Sequence, residues 1–249
     1  MNAINNFLKP EIQETNRFCE EHKERMISIG GREFCKTCAT NAYEHAQKEH
    51  IVLVNTMVRE KHFAGAMIPD RHAQSGFKNY SVGNDGQKNA KAQCHAFAKD
   101  FNTGVKRNLI MVGRTGTGKT HLACAVARNV LDQRSYVRYV TSEDMANEIA
   151  NAWTKADDSE ASAVWRFTDY DLLIIDEYGL HDQHESRLQL VHKVLYSRYD
   201  AKKPTVLISN WTKEQLKDNL GDRLWSRFQH DGLTVVECNW ADSRIGGAL

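Results

Sequence analysis

At 249 residues the chain has room for one large domain, or for an ordinary domain with a small appendage; with 41% apolar and 26% charged residues its composition is that of a globular protein in water. The formal net charge of +1 offers no long-range attraction to nucleic acid, so any such contact has to be local. No apolar run is long enough to cross a bilayer, and the first residues lack the basic and apolar regions of a secretion signal, so a cytoplasmic protein with no membrane partner is expected.

The first chemical signal is Cys19-x2-His22, followed after twelve residues by Cys35-x2-Cys38. Each short spacing makes a chelating knuckle, and the segment between them, with Gly30-Gly31, is the right size for a hairpin that brings the knuckles together. Three thiolates and one imidazole suit tetrahedral Zn2+, and four protein ligands leave it no open position, so its role would be structural. His45 and His50 are the alternatives for the imidazole. The other cysteines, Cys94, Cys124 and Cys238, stand among apolar neighbours and read as packed core thiols. Over residues 40–63, Ala42, Ala46, His50, Leu53, Val54, Met57 and Val58 recur at helical spacing, giving an amphipathic helix whose stripe docks on the zinc module, on the next domain or on another protein. Gly65 and Pro69 then break the pattern. The boundary is drawn there, giving residues 1–66 as a zinc-binding and helical partner module and 67–249 as the main domain.

In the main domain strands and helices alternate. A helix over residues 87–101 carries Ala90, Cys94, Phe97, Ala98 and Phe101 inward, and an apolar strand follows at 108–112. Then come a helix from His121, a strand at 137–141, a helix from Ser142 with Met145, Ile149 and Trp153, and a strand at 171–177. The remainder is a long helix over 185–201, a strand at 205–210, short helices between 213 and 229, and a last strand at 233–238. Five strands spaced by helices predict an α/β fold with a mainly parallel five-stranded sheet, covered on both faces and binding ligands at the carboxyl ends of its strands.

Between the first strand and helix lies Gly113-Arg114-Thr115-Gly116-Thr117-Gly118-Lys119-Thr120, which fits the phosphate-binding loop G-x-x-x-x-G-K-[ST]. Its glycines allow close backbone approach, its amides point at phosphates, and the helix dipole favours negative charge. Lys119 would contact the β- and γ-phosphates of ATP, and the Thr120 hydroxyl would ligate Mg2+. Asp176 and Glu177 end an apolar strand two strands later. Asp176 would hold Mg2+ with Thr120, while Glu177 would orient or deprotonate the attacking water. Asn210 ends the next strand and either hydrogen-bonds the γ-phosphate or the water, or serves as a turn residue. Arg223 and Arg227, four apart on one helix face, are either a solvated face or a pair that projects into a neighbouring subunit's nucleotide.

The order of Gly113 to Thr120, Leu172 to Glu177, Leu207 to Asn210, Gly221 to Phe228 and Asn239-Trp240-Ala241-Asp242-Ser243-Arg244 resembles the AAA+ ATPases of the DnaC helicase-loader family, in particular its phage and prophage members. The resemblance runs from about Met67 to the C-terminus. It implies an AAA+ P-loop NTPase core in which the phosphate loop is Walker A, the strand acids are Walker B, Asn210 is sensor 1 and Arg244 is sensor 2. Arg227 becomes the finger acting in trans, with Arg223 its neighbour. Ile68-Pro69-Asp70-Arg71 and Phe77-Lys78-Asn79-Tyr80 are similar to the family's lead-in, which borders the adenine. Phage members often carry an N-terminal cysteine/histidine cluster. Only five residues follow Arg244, so no winged-helix DNA-binding domain is expected.

The function so implied is ATP-dependent loading of a hexameric replicative helicase of the DnaB type onto single-stranded DNA, with self-association through the ATPase domain and hydrolysis completed by Arg227 of a neighbour. The alternative is a transposition helper similar to the IstB ATPases, assembling on duplex DNA; the zinc cluster and near-zero charge speak against it. A small-molecule P-loop kinase is a third reading, disfavoured by the arginine pair. Tyr178, Tyr170, Trp153 and Trp165 either stack on single-strand bases or pack helices, with Lys155 and Arg166 as nearby phosphate contacts.

Overall fold

The computed structural model describes residues 12–180 and 185–242. Chain contacts divide it into two compact units that meet within one helix, between Met57 and Val58. The N-terminal unit holds an antiparallel sheet of β1 (Ile12–Phe18), β2 (Arg25–Ile29) and β3 (Arg32–Phe34), followed by the start of α1 (Lys36–Gly65). Gly30 and Gly31, with φ of 59° and 80°, make the two-residue turn between β2 and β3, a left-handed conformation that glycine adopts without cost. Among the described residues 12–57 only Cys35 is buried, so these residues form no apolar core. Tyr43, Ile51, Val52, Leu53, Val54 and Met57 of α1 are all exposed. The helix is longer at both ends than the apolar stripe indicates.

The second unit contains α2 (Asp85–Asn102), β4 (Asn108–Gly113), α3 (Lys119–Leu131), β5 (Val137–Thr141), α4 (Ser142–Ala152) and α5 (Glu160–Asp169). These are followed by β6 (Leu172–Tyr178), α6 (Glu185–Asp200), β7 (Thr205–Ser209), α7 (Lys213–His230) and β8 (Leu233–Cys238). The five strands form one parallel sheet in the order β5-β6-β7-β4-β8. Successive residues face opposite sides of a strand, and the core divides accordingly. Leu109, Met111, Leu172, Ile174, Val206 and Ile208 pack with α2 and α3, whereas Ile110, Val112, Leu173, Ile175 and Leu207 pack with α4 to α7. Both faces are thus covered, which is why these strands read as continuous apolar runs. Cys94, Cys124 and Cys238 are fully buried as expected, and burial pushes the Cys124 and Cys238 thiols up to about 12. No described helix is long and apolar enough to cross a membrane.

Helix ends explain where the site lies. α2, α4, α5 and α7 each open on a side-chain cap, from Asn84, Thr141, Ser159 and Thr212. α3 opens on Gly118 (φ 87°) with no side-chain cap, because its first amides belong to the phosphate loop. α7 is two helical pieces joined at Gly221 (φ 72°, ψ 159°), and the second piece carries Arg223 and Arg227.

Candidate functional site

The carboxyl ends of β4, β6 and β7 converge on a cleft of about 430 Å³ lined by the phosphate loop, Asp176, Glu177, Asn210 and the lead-in residues Arg71, His72, Asn79 and Tyr80. Two glycines of the loop are required by close approach. A Cβ on Gly113 would collide with the backbone carbonyl of Cys238 on β8, and one on Gly116 with the carboxylate of Asp242. Lys119, buried, donates from Nζ to the carbonyls of Gly113 (2.7 Å) and Arg114 (2.8 Å) and to Asn210 Oδ1 (2.9 Å). Asn210 is therefore part of the site and not merely a turn residue. The Arg114 carbonyl also accepts from Thr117 Oγ1, while Thr115 is exposed at the loop's tip.

Thr120 Oγ1 donates to Asp176 Oδ2 at 2.8 Å. The same carboxylate oxygen accepts from the Tyr139 hydroxyl at 2.7 Å, and Oδ1 accepts the Glu177 amide at 2.7 Å. Burial, reinforced by the charge of Asp176, raises the Tyr139 phenol, which keeps it a neutral donor. Two consecutive residues of a flat strand point to opposite faces, so Asp176 and Glu177 could not both line one cleft without a local distortion. The register supplies it: between Ile175↔Leu207 and Tyr178↔Ser209, β6 advances three residues where β7 advances two. Glu177 sits in this bulge at φ 57°, exposed, while Asp176 stays buried.

Arg227 lies at the other end of the sheet. It lines a narrow cleft with Asn108 and Thr205, the first residues of β4 and β7, about 16 Å along β4 from the loop. Arg223, one turn earlier, is exposed. Arg244 lies outside the described residues. In the N-terminal unit the Cys19, His22, Cys35 and Cys38 donor atoms all lie within 4.8 Å of one another. Cys19 Sγ is 3.7 Å from both His22 Nδ1 and Cys38 Sγ, and His22 Nδ1 is 3.7 Å from Cys35 Sγ and 3.3 Å from Cys38 Sγ. A tetrahedron with metal–sulfur bonds of about 2.3 Å has edges of about 3.8 Å, so the donor set fits Zn2+. His45 instead faces Glu49 on exposed α1, and His50 is exposed too, which leaves His22 as the imidazole. The backbone N–H of His22 lowers the Cys19 thiol to about 6, and hydrogen bonding to Cys19 raises that of Cys38 to about 12.

The alternatives left open for the aromatic and basic residues narrow. Tyr178 is buried, its hydroxyl held by His192 Nε2 (2.8 Å) and Asn219 (2.9 Å), so it packs the core and cannot stack on a base. Arg166 is held by Asp158 through two hydrogen bonds of 2.8 and 2.9 Å and is no free phosphate contact. Trp153 and Trp165 are exposed, as is Lys155, and Tyr170 is half-buried. Sequence reading passed over Tyr139 and gave Trp240 no role, although its Nε1 donates to the Thr117 carbonyl at 2.9 Å.

The profile of the family described as "IstB-like ATP binding protein" matches residues 58–235, the greater part of the chain. The chain belongs to that family. This IstB-like protein is 27% identical over 193 residues to the replicative helicase loader DnaC of Escherichia coli K12, covering 77% of this chain and 78% of DnaC. A crystal structure of the DnaC helicase loader superposes with a TM-score of 0.61 at 19% identity, covering 68% of this chain and 99% of that one. The DnaA initiator bound to AMPPCP and single-stranded DNA superposes with a TM-score of 0.56 at 23% identity over 69% of this chain and 51% of its own. These likenesses identify the second unit's fold as that of AAA+ ATPases, and the resemblance to DnaC expected from the motifs holds over most of the chain.

Proposed function

We propose that this protein is a Mg2+-dependent ATPase that loads a hexameric replicative helicase of the DnaB type onto single-stranded DNA. The relationship to DnaC supports the partner and the process. The phosphate loop would hold ATP, with Lys119 exchanging its carbonyl partners for β- and γ-phosphate oxygens. Thr120 and Asp176, hard oxygen donors in mutual contact, fit Mg2+, which when bound neutralises charge on the phosphates. Glu177, aimed into the cleft by the bulge, would accept the proton of the attacking water, and Asn210 would orient that water or the γ-phosphate. Arg244 would reach the nucleotide as sensor 2.

The observation that carries a shared-site mechanism is the position of Arg227. It is a sheet's height from its own phosphate loop, a separation that supports a role on the nucleotide of a neighbouring copy over one on its own. ATP then favours self-association because it binds the assembled state better than the single chain. Residues 1–66, folded around Zn2+ held by Cys19, His22, Cys35 and Cys38, would present the exposed apolar residues of α1 to the helicase. Trp153 and Trp165 are the remaining candidates for stacking on single-strand bases in the assembly. The test is to mix purified protein with the replicative helicase in ATP and in ADP and to weigh the products by native mass spectrometry. A complex that needs residues 1–66 and contains zinc is expected; no complex in either nucleotide, from folded ATP-binding protein, overturns the loader reading.

The family relationship itself favours one second reading, an IstB-like helper of DNA transposition. That reading requires salt-sensitive assembly on duplex DNA, which electron microscopy with ATP would reveal and which the loader reading does not expect.

A further inference from the structure

We propose that Tyr196 and Tyr199 form an aromatic clamp that preorganises Arg227 for the nucleotide of a neighbouring copy; the proposal rests on the trans role of Arg227 given above. The two tyrosines are three residues apart on α6 and so share a helix face. Cζ of Arg227 lies 4.6 Å from the ring centroid of Tyr196 and 4.7 Å from that of Tyr199, both within cation–π range. Tyr199 is fixed in turn by its hydroxyl, 2.8 Å from Nδ1 of His230, which stands on α7 three residues beyond Arg227.

A second arginine of the same neighbourhood shows what distinguishes this arrangement. Arg198, fully buried on α6, spends its N–H groups on the carbonyls of Phe167, Thr168, Tyr170 and Pro204 and on the Thr205 hydroxyl, and so is a structural arginine. Arg227 is held instead by contact with two aromatic rings, which do not take up its N–H donors as carbonyls do. Among the described residues its guanidinium pairs with Asp200 Oδ1 at 3.8 Å, a long contact to a carboxylate that is 70% exposed. A finger needs this combination, because the planar N–H edge must be oriented beforehand and still be available to phosphate oxygens. Lys106 and Lys202 line the same cleft and add positive charge beside Arg227, while Arg107 and Lys203 are paired with Asp100 and Asp171.

The experiment separates the subunit that supplies the arginine from the one that supplies the phosphate loop. Full-length Lys119→Ala chains lack a working loop and Arg227→Ala chains lack the finger, so each alone is inactive with Mg·ATP and an equal mixture recovers hydrolysis. Adding Tyr196→Leu and Tyr199→Leu to the Lys119→Ala donor is expected to lower the kcat of the mixture about tenfold with KM unchanged. The same pair placed in the Arg227→Ala acceptor is expected to leave it alone, and Tyr196→Phe with Tyr199→Phe in the donor to retain most of the rate. Equal loss in donor and acceptor, or no loss in either, overturns the clamp while leaving Arg227 in place. If Arg227→Ala alone hydrolyses ATP as the unaltered protein does, the shared site itself is wrong. Where the double leucine donor does not fold, Tyr196→Leu and Tyr196→Phe donors are compared, and equal rates overturn the proposal.

Discussion

Glu177, the proposed acceptor of the attacking water's proton, sets function against stability at the scale of one residue. A glutamate at φ 57° is in the left-handed region, where a side chain costs about 1 kcal/mol and glycine costs nothing. Glu177→Gly should therefore raise stability by about 1 kcal/mol, a rise of roughly 2–4 °C in thermal midpoint for a chain of this size, while hydrolysis falls to background and ATP binding persists. Calorimetry beside single-turnover ATPase checks both halves, with Glu177→Gln as the control that loses activity without the gain. Arg198 lies at the opposite extreme. Replacing it by methionine strands buried carbonyls at the end of α5 and just before β7, and a loss of about 3–5 kcal/mol in urea unfolding is expected. Sequence could not foresee this residue, since its acceptors lie up to 31 positions away.

At the scale of elements the N-terminal hairpin and α5 make the contrast. With Cys35 the only buried residue among residues 12–57, the proposed Zn2+ would be the main tie between β1 to β3 and the start of α1, beside the hydrogen bond from Thr37 to Glu24. Removing zinc with a chelator should abolish hydrogen-exchange protection in β1 to β3 and leave β4 to β8 protected, and Cys35→Ser should do the same. α5 is stabilised at its start by Ser159 and by the Asp158–Arg166 pair, which with the Ser159 amide holds the Asp158 carboxyl down at about 2 against an ordinary 3.8. A carboxyl lowered by folding contributes stability above its unfolded value and loses it as pH falls through the folded one. The pair should thus stabilise α5 above about pH 4 and cease to do so near pH 2, and in Asp158→Asn that part of the acid dependence should vanish from the unfolding curve. β1 escaped sequence reading because both its faces are exposed and it shows no apolar alternation. α5 escaped because distant Arg198 satisfies its last carbonyls.

For the whole molecule, the loop lies at the carboxyl ends of the strands and Arg227 at their amino ends, so under the proposed shared site activity would be a property of the assembly. Specific ATPase activity should rise steeply with protein concentration and reach a plateau, and Arg227→Ala should flatten that rise, by about a thousandfold at the plateau if the arginine is a full finger. With a net charge of only +1, a single chain neutralises few phosphates. Single-strand binding, followed by anisotropy, should accordingly appear with ATP at assembling concentrations and be lost in ADP or in Arg227→Ala.

The phosphate-loop motif, its flanking strand and helix, the acids of β6, the cysteine/histidine knuckles and the parallel five-stranded sheet were all legible in the sequence, because each depends on residues close together along the chain or on periodicity within one element. Strand order was not legible, and with it went Tyr139, whose bond to Asp176 exists only because β5 lies beside β6. The tertiary structure also decided that Tyr178 is a core residue, that Arg166 is spent on Asp158, that Asp176 and Glu177 both reach one cleft, and that Arg227 sits between two tyrosines. Each of these is a meeting of residues from different elements, set by how faces pack and registers slip, and no local pattern in the chain encodes such a meeting.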